Sequence, residues 1–510
     1  MIKGDAMTLG PWHRGVFYNL PPEEVPADGL SDMENVRVGQ AGQCEKRPGC
    51  ASYQSAAVLS GTPAPTLTLS CQLDLSTGTS HVVIAAGTAL YKYSSGWSAI
   101  TGSTTITAGD DNVFDWANAN DTLVICNGVD TAAIKWTGTG DAAALDVDAR
   151  FTNAARVAWW DNRLWLGRVS GTLDRVYYSA TGDIETWAAA DFKAAGMPIT
   201  GLAPLDDLLA VHTEKGIWAI TATGNSSIPY EIHQVTQRGS LSGRGIVTLP
   251  GLRQLMVLRD GIYRWDKEDG TVTKISYALD DAYWPTLNKA RLKMVFGVYC
   301  PDTNEVWYML PYGTSQTNLN QLMIYGEYEH EDEEKYRWYG PWKGGTAYER
   351  NCGGLIADKP HLGSYAGFLY DMDTGTNDVS TAVAAHFTTG WVQPDPESPE
   401  LQNRWLFCRT YYDGTGYYPV VAGQRNEDGT GTTKSFTVQG SGFVLGTSRL
   451  GDAMQGRQMA FADTPLLGYG SHMGMLYSNG AAGQTFSVRR ALVHYRGLGR
   501  KHKRGASTAA

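Results

Sequence analysis

The sequence predicts an all-β protein that contains a β-propeller-like domain. Of its 510 residues 59 are Gly, aromatic residues make up 11%, and charged residues make up only 18%. Gly and aromatic richness without amphipathic helical runs favours many short strands joined by tight turns. A strand–turn–strand pattern also recurs along the chain, which indicates a series of similar small sheets.

The recurring pattern is an apolar strand, a turn and a short strand that carries an aromatic residue, as in HVVIAAGTALYKY from residue 81. The first four spacings between these aromatic residues are 45, 41, 41 and 45, and the last is 107. A period of roughly 40–50 residues with several strands per unit is typical of a β-propeller, although unrelated hairpins of β-sandwiches are an alternative. The longest gap leaves room for one or two further units around Trp307 and Tyr325. The aromatic residues are Tyr91, Trp136, Tyr177, Trp218, Tyr263 and Tyr370.

Three regions are predicted along the chain. Residues 1–50 form an extended N-terminal arm for contact with a neighbouring subunit or an adaptor, because Pro and Gly punctuate them and no strand or helix period persists. Residues 51–375 form the β-propeller-like domain. Residues 376–510 form a C-terminal β-rich domain, a sandwich or a tube-forming sheet with a basic tail, because segments such as RWLFCRTYY alternate apolar and polar residues.

The net charge of −10 hides a basic C-terminal end. No Asp or Glu occurs from residue 464 to residue 510, whereas this stretch contains seven cationic residues. Such an end is predicted to contact nucleic acid or an acidic neighbouring subunit, and a solvated tail that keeps the chain soluble is the alternative. The seven residues are Arg489, Arg490, Arg496, Arg500, Lys501, Lys503 and Arg504.

Cysteine usage and hydropathy predict a soluble protein that is made in a cytoplasm and does not insert into a membrane by itself. The seven Cys are widely spread and no Cys-x-x-Cys occurs, which favours buried free thiols over a disulfide framework or a zinc site. The opening MIKGDAMTLGPW has no apolar region of a signal peptide. No window approaches the roughly 18 apolar residues that a membrane helix needs.

The sequence predicts no enzyme, no catalytic residues, no metal site and no cofactor, because it lacks the common zinc-protease, phosphate-loop and nucleophile-elbow motifs. The stretch nearest to a sialidase Asp-box is SATGDIETW, residues 179–187. Its Gly182 and Asp183 are out of register and Trp187 is one residue late, so a strand–turn–strand with a buried Trp is expected there.

Two acidic stretches have both an ordinary and a functional interpretation. DMDTGTND, residues 371–378, loosely resembles a calcium loop but lacks the later bidentate Glu, which favours a simple Asp/Gly turn. EYEHEDEEKY, residues 327–336, is typical of a solvated loop. The alternative for the second stretch is a surface that faces DNA and repels its phosphates.

The segment GVFYNLPPEEVPADGLSDMENVRVGQAGQCEKRPG, residues 15–49, resembles the opening of phage tail nozzle proteins, also called tail tubular protein B or packaged-DNA stabilisation proteins. Further segments resemble this family in the same order, including RVAWWDNRLWLGR, LLAVHTEKGIWAI and GFLYDMDTGTND, so that the resemblance covers most of residues 10–380. The family-like residues of the arm include Asn19, Asp32, Asn35, Arg47, Pro48 and Gly49.

The resemblance implies a structural subunit of a homo-oligomeric ring, a hexamer, that closes the distal tail tube, retains packaged DNA and lets it pass on ejection. It implies as partners the tail adaptor or tail-tube protein, tail fibre proteins and phage genomic DNA in the channel, and as location the virion tail, assembled in the host cytoplasm. It transfers no catalytic residues. A phage receptor-binding β-propeller that recognises host surface glycan is the alternative function, and a propeller glycosidase is a second alternative.

Overall fold

The computed structural model describes residues 5–54, 65–145, 151–330, 333–344, 348–394, 401–413, 418–427, 431–438 and 460–500. Nearly all of the regular secondary structure in this part of the chain is β-strand, which confirms the predicted fold class. Among these residues no helix is long and apolar enough to cross a membrane. The chain divides into two compact units, which we call unit 1 (Met1–Gly49, Glu327–Trp342 and Gly375–Ala510) and unit 2 (Cys50–Gly326 and Lys343–Thr374).

The strands are numbered in chain order. The first four are β1 (Asp5–Leu9), β2 (Leu30–Glu34), β3 (Val36–Val38) and β4 (Cys44–Lys46). The next group is β5 (Cys50–Ser52), β6 (Leu67–Asp74), β7 (Ser80–Ala86), β8 (Ala89–Tyr93), β9 (Trp97–Ala99), β10 (Asp115–Ala119), β11 (Thr122–Cys126), β12 (Ile134–Trp136), β13 (Ala143–Ala144), β14 (Arg156–Trp160), β15 (Arg163–Val169), β16 (Thr172–Tyr178), β17 (Phe192–Ala194), β18 (Ile199–Leu205), β19 (Leu208–Thr213), β20 (Gly216–Asn225), β21 (Ile228–Thr236), β22 (Val247–Leu249), β23 (Arg253–Leu258), β24 (Gly261–Asp266), β25 (Val272–Lys274), β26 (Phe296–Cys300), β27 (Glu305–Leu310), β28 (Gln321–His330), β29 (Glu333–Trp342), β30 (Arg350–Ile356), β31 (Lys359–Ser364) and β32 (Leu369–Met372). The last ten are β33 (Asn377–Asp378), β34 (Thr381–Ala382), β35 (Ala385–Thr389), β36 (Leu401–Tyr412), β37 (Tyr418–Asn426), β38 (Thr433–Val438), β39 (Ala460–Pro465), β40 (Tyr469–Gly470), β41 (Met473–Asn479) and β42 (Ser487–Arg500). Short 3-10 helices span Tyr277–Leu279, Trp284–Thr286 and Lys289–Met294.

Unit 2 is built on seven small antiparallel sheets within the described residues. Six of them consist of four consecutive strands, from β6–β9 to β26–β29, and β29 with the end of β28 belongs to unit 1. The first strand of each sheet contacts the first strand of the next, from β6 through β10, β14, β18, β22, β26 and β30 and back to β6. Because this series returns to its start, unit 2 is a closed seven-bladed β-propeller.

The seventh sheet takes its fourth strand from the start of unit 2. Strand β5 pairs antiparallel with β32, with Ser52 opposite Tyr370 and Cys50 opposite Met372. The pairing extends past the strand, because the backbone N–H of Tyr53 donates to the carbonyl of Leu369 at 2.9 Å. The ring is therefore closed by residues that precede the first complete sheet in the sequence.

Each aromatic residue of the predicted repeat lies in the third strand of its sheet. The long spacing between Tyr263 and Tyr370 holds one additional sheet, whose third strand carries Tyr325. Repetition at the same position confirms the propeller prediction and rules out unrelated hairpins for this unit. The positions are Tyr91 in β8, Trp136 in β12, Tyr177 in β16, Trp218 in β20, Tyr263 in β24 and Tyr370 in β32.

Apolar side chains fill the spaces between neighbouring sheets of unit 2. Between the fourth and fifth sheets, for example, Leu208 and Ile217 pack with Met256 and Trp265. A twisted sheet with two apolar faces can bury both only by stacking between two others. Each large side chain buried in this way contributes about 1.5–3 kcal/mol, which makes the closed ring the stable arrangement.

Unit 1 contains a β-sandwich. One sheet has the strand order β3-β4-β42-β36-β39, with β1 also on β42 and β40 also on β36, and the other has the order β2-β35-β41-β37-β38. The two sheets meet where the hydroxyls of Tyr477 and Thr410 form a buried hydrogen bond of 2.9 Å. Phe387 stacks on Tyr477 and also contacts Phe486.

The N-terminal segment, expected to be an extended arm, contributes strands to this sandwich. Strand β1 pairs with β42 from Asp5 opposite Tyr495 to Leu9 opposite Ala491, and β2 pairs with β35. Leu9 and Trp12 are fully buried. The strands are only three to five residues long, so alternation is too brief to be visible in the sequence. Residues 1–49 thus belong to one compact unit together with Glu327–Trp342 and residues 375–510.

Closure of the propeller by its first strand can be tested at Tyr53. We expect Tyr53→Pro to lower the free energy of unfolding by about 1–3 kcal/mol more than Tyr53→Ala, because proline also removes the N–H that bonds to Leu369. Both variants lose the ring contacts to Tyr93 and His361 equally. Urea unfolding of the two variants gives the difference, and equal losses would show that closure by this strand adds nothing.

A second prediction concerns acid stability. Burial lowers the pKa of His212 to about 4, and a 2.9 Å contact of its Nε2 with Gln254 opposes this shift. The unfolded chain therefore binds the additional proton between pH 6.5 and 4, so stability is full above pH 6.5 and is lost as the pH falls. The loss is about 3 kcal/mol. We expect His212→Gln to abolish this part of the pH dependence of unfolding, whereas His233→Gln, at an exposed position, leaves it unchanged.

Candidate assembly and nucleic-acid interface

Asn35, Arg47 and Pro48 of the arm meet Asp378 around one buried guanidinium in unit 1. The Arg47 side chain is fully buried and donates through Nη1 and Nη2 to Asp378 Oδ1 and Oδ2 at 2.8 and 2.6 Å. Its Nε donates to Asn35 Oδ1 at 2.8 Å, and Nη1 also donates to the carbonyl of Pro48 at 2.9 Å. The guanidinium lies 5.7 Å from the ring of Trp342. We call Arg47, Asn35, Asp378 and Trp342 the Arg47 clamp.

Asn35 and Gly49 hold the backbone in the shape that the clamp requires. Asn35 has a φ of 53°, a left-handed conformation that Asn tolerates better than most residues. Its Nδ2 donates to the carbonyl of Ala384 at 2.8 Å. A Cβ on Gly49 would lie 1.8 Å from the carbonyl oxygen of Asn377, so no other residue fits there. Identity at both positions is therefore set by the close approach of residues 35–49 to 377–384.

Two further family-like residues of the arm, Asp32 and Asn19, are not members of the clamp. Asp32 is exposed, and its Oδ2 lies 3.1 Å from Nε2 of His386 across β2 and β35. Asn19 is half-buried, and its Oδ1 has no hydrogen-bond partner among the described residues. An exposed contact such as that between Asp32 and His386 contributes about 1 kcal/mol at most to holding the arm.

The described part of the basic end is a strand and not a tail. Arg489 in β42 pairs with Asp413 at 2.6 Å, and the Arg490 guanidinium lies 4.9 Å from the Tyr411 ring. Arg496 is exposed. Arg500 is the last residue of β42, and the structure places its backbone opposite Leu401. Lys501, Lys503 and Arg504 lie outside the described residues.

The acidic run 327–336 forms the facing ends of β28 and β29 in unit 1, except for residues 331 and 332, which the structure does not describe. Tyr328 stacks on His13 with ring centroids 6.0 Å apart. The Arg337 guanidinium lies 5.0 Å from the Tyr328 ring. The two ends of the run therefore lie in strands that pack against other side chains, whereas its acidic composition predicted a solvated loop.

In the stretch 371–378, the side chains of Asn377 and Asp378, which belong to unit 1, form structural hydrogen bonds. Asp378 is bound by Arg47, and Asn377 Oδ1 accepts a hydrogen bond of 2.7 Å from the backbone N–H of Gly483. In the ranges that the structure describes, no group of three or more His, Cys, Asp or Glu is placed to hold a metal ion. The Asp378 carboxylate already has a cationic partner.

The Asp-box-like stretch is a turn that follows β16. The buried Ser179 hydroxyl accepts from the backbone N–H of Leu164 at 2.9 Å. Asp183 accepts from the Thr186 hydroxyl at 2.6 Å, and Trp187 is half-buried with its ring 4.9 Å from that of Phe151. The turn is as expected, although Trp187 is less buried than the sequence indicates.

All seven cysteines are buried free thiols, as predicted. Burial raises the pKa of Cys408 to about 11, and the hydrogen bonds between its thiol and the hydroxyls of Tyr477 and Thr410 partly oppose this rise. Burial also raises the pKa of Cys352, to about 12, although nearby Arg244 lowers it. Thiols with raised pKa values are poor nucleophiles, so they serve the core.

One polar cluster in unit 1 was not visible in the sequence. His472 Nδ1 lies 2.8 Å from Glu427 Oε1 and 3.1 Å from the Ser471 hydroxyl, which itself donates to Glu427. Burial alone would raise the pKa of Glu427, but these hydrogen bonds lower it below its usual value. A Ser–His–acid triad uses both ring nitrogens, one for each partner. Because a single nitrogen faces both partners, this cluster lacks that arrangement.

Comparison with known proteins gives likenesses in structure only. No protein-family model matches the chain, and no curated protein matches it. One similar structure is an extracellular domain assigned to a one-component system of B. thetaiotaomicron, at 11% identity and a TM-score of 0.44. The match covers 79% of this chain and 62% of that chain. The assignment of unit 2 as a propeller rests on its closed ring of sheets and not on these similar structures.

Two further structures are similar at the same level. The WD40 β-propeller domain of Doa1 has 12% identity and a TM-score of 0.36, with 63% of this chain and 97% of that chain covered. Virginiamycin B lyase from Staphylococcus aureus has 11% identity and a TM-score of 0.38, with 62% of this chain and 97% of that chain covered.

The clamp makes a testable prediction. We expect Arg47→Met to lower the free energy of unfolding by about 3–5 kcal/mol, because it leaves the largely buried Asp378 carboxylate without its cation. The double variant Arg47→Met/Asp378→Leu should lose less than the two single variants together. Lys267→Met, which breaks the exposed pair with Asp207, is the control and should cost less than about 1 kcal/mol. Additive losses in the double-mutant cycle would contradict the coupling.

Proposed function

We propose that the chain is a non-enzymatic structural subunit of a bacteriophage tail nozzle ring. In this proposal the ring closes the distal tail tube, retains packaged DNA and lets it pass on ejection. The subunit assembles in the host cytoplasm and works in the virion tail. Its partners are other copies of itself, the tail adaptor or tail-tube protein, tail fibre proteins and the genomic DNA.

The Arg47 clamp is the observation that carries the proposal. Two segments that resemble the nozzle family, residues 15–49 and GFLYDMDTGTND, meet in it, and Arg47 and Asp378 are 331 residues apart in sequence. Chance likeness of two loose motifs does not require them to be in contact. The buried ion pair between Arg47 and Asp378 gives a physical reason for both segments to occur in the same chain. This supports treating them as parts of one family pattern.

The sandwich of unit 1 offers strands for subunit contact. Strands β38 and β39 lie at the ends of their sheets, so each has an edge that is unpaired among the described strands. Exposed edges pair readily with a strand from another chain, which gives affinity through main-chain hydrogen bonds. In β38 the residues Thr433, Lys434 and Ser435 are exposed. Edge pairing between copies is therefore the contact that we propose for the ring.

A receptor-binding propeller that recognises host glycan is the second candidate. One observation favours it: a pocket of about 260 Å³ in unit 2 is rich in hydroxyl groups that suit sugar hydroxyls. Its polar lining includes Ser103, Thr104, Thr105, Thr107, Asp130 and Thr131. Binding of the purified protein to a glycan array, lost in Thr105→Ala/Thr107→Ala, would favour this candidate.

The mass of the purified protein in solution tests the nozzle proposal. We expect light scattering to show a ring of about six copies, formed alone or on addition of the tail-tube partner. Repeated pairing of one edge strand with a different edge of the next copy produces a closed ring. Negative-stain images should then show a central channel. A lasting monomer or a trimer, with no ring beside the partner, would contradict the proposal. An unrelated virion protein in place of the partner is the control.

A further inference from the structure

The outer face of the larger sheet in unit 1 carries cations and aromatic rings in rows. We call it the arginine–aromatic face and define it by Arg404, Arg490, Arg496, Tyr411, Phe461 and Tyr469. Alternate residues of β42 from 490 to 496 lie on this side, whereas Ala491 and Val493 between them are fully buried. The rows run across β42, β36 and then β39 or β40.

The row at one end places two like charges directly opposite each other. Arg496 in β42 is the register partner of Arg404 in β36, whose partner on the other side is Tyr469. Both arginines are exposed, Tyr469 is 59% exposed, and neither guanidinium has an ion pair among the described residues. Like charges directly opposite on a sheet are destabilising. An anion that binds between them would remove this cost.

The row at the other end combines a cation with exposed rings. Arg490, Tyr411 and Phe461 are aligned across β42, β36 and β39, and the Arg490 guanidinium lies 4.9 Å from the Tyr411 ring. Phe461 is 53% exposed. Between the two end rows, the rings of Phe407 and His494 stack with centroids 4.1 Å apart. The face is therefore a platform of rings with cations at both ends.

The charge on this face is opposite to that of the whole chain. Strands β36, β39, β40 and β42 contain one acidic residue, Asp463, which Arg409 binds with two hydrogen bonds of 2.8 Å. Arg404, Arg490 and Arg496 remain without an acidic partner among the described residues, although the chain has a net charge of −10. A local surplus of cations beside exposed rings selects a ligand that has both negative charge and flat apolar groups.

We infer that the arginine–aromatic face binds single-stranded nucleic acid. Phosphates would contact the Arg404–Arg496 pair and Arg490, and unpaired bases would stack on Tyr469, Tyr411 or Phe461. The end rows are about 20 Å apart at the rise of a strand, so one strand can contact both. A duplex keeps its bases stacked inside and can use only the charges. The choice of nucleic acid as ligand rests on the proposed nozzle function, but binding does not require a ring.

Fluorescence anisotropy with a labelled oligothymidylate and a duplex of the same length tests this inference. We expect Arg404→Ser/Arg496→Ser to weaken binding and to make the salt slope shallower by about 1.4, because two phosphate contacts are lost. Arg404→Lys/Arg496→Lys should keep the slope. Phe461→Ala should weaken oligothymidylate binding roughly fivefold or more and duplex binding much less, because stacking is lost.

Matched controls lie on exposed positions of unit 2. Arg259→Ser/Lys215→Ser removes two exposed charges, and Tyr277→Ala removes a ring that is 65% exposed. Equal weakening by control and face variants, or no binding of the wild type at 50 mM salt, would overturn the inference. Self-association that only the face variants lose would also overturn it in favour of a second copy as ligand. Light scattering of the same variants keeps the two proposals apart, since a ring that persists without oligonucleotide binding refutes only the inference.

Discussion

The structure depends on the pairing of residues 5–52 with strands that lie much later in the sequence of each unit. In unit 1, β1 lies along β42, and in unit 2, β5 completes the sheet that ends at β32. A sheet or ring without these strands would leave an open edge and exposed apolar surface. The same short stretch of chain therefore finishes both the sandwich and the propeller, and the clamp at Arg47 lies between its two contributions.

The propeller was predictable because its pattern repeats locally along the sequence. The sandwich was harder to predict because its N-terminal strands pair with strands that are distant in sequence. Tyr91, Trp136 and Tyr177 each lie in the third strand of a sheet, and a period set by similar consecutive sheets is visible in one sequence. The closing strand β5 has three residues and no pattern of its own. Its role follows only from its partner, which lies more than 300 residues later.

The candidate site shows the same division. The resemblance to the nozzle family pointed to Asn35, Arg47, Pro48 and Gly49, but nothing in the sequence indicated that Asp378 joins them. The basic composition of the C-terminal end was visible, yet the rings that accompany Arg490 and Arg496 come from β36, β39 and β40. Composition reports which charges a chain has, whereas register decides which groups stand beside them.

The completion of both units by residues 5–52 has a consequence for synthesis. Ribosomes make β1 and β5 before their partners β42 and β32, each of which follows more than 300 residues later in the sequence. Native pairing of such high contact order forms slowly, and strand edges stay open to wrong neighbours while the chain waits. The edges of β1 and β5 therefore stay unpaired during most of the elongation between them and their partners, and a copy truncated before β42 leaves β1 without its partner strand.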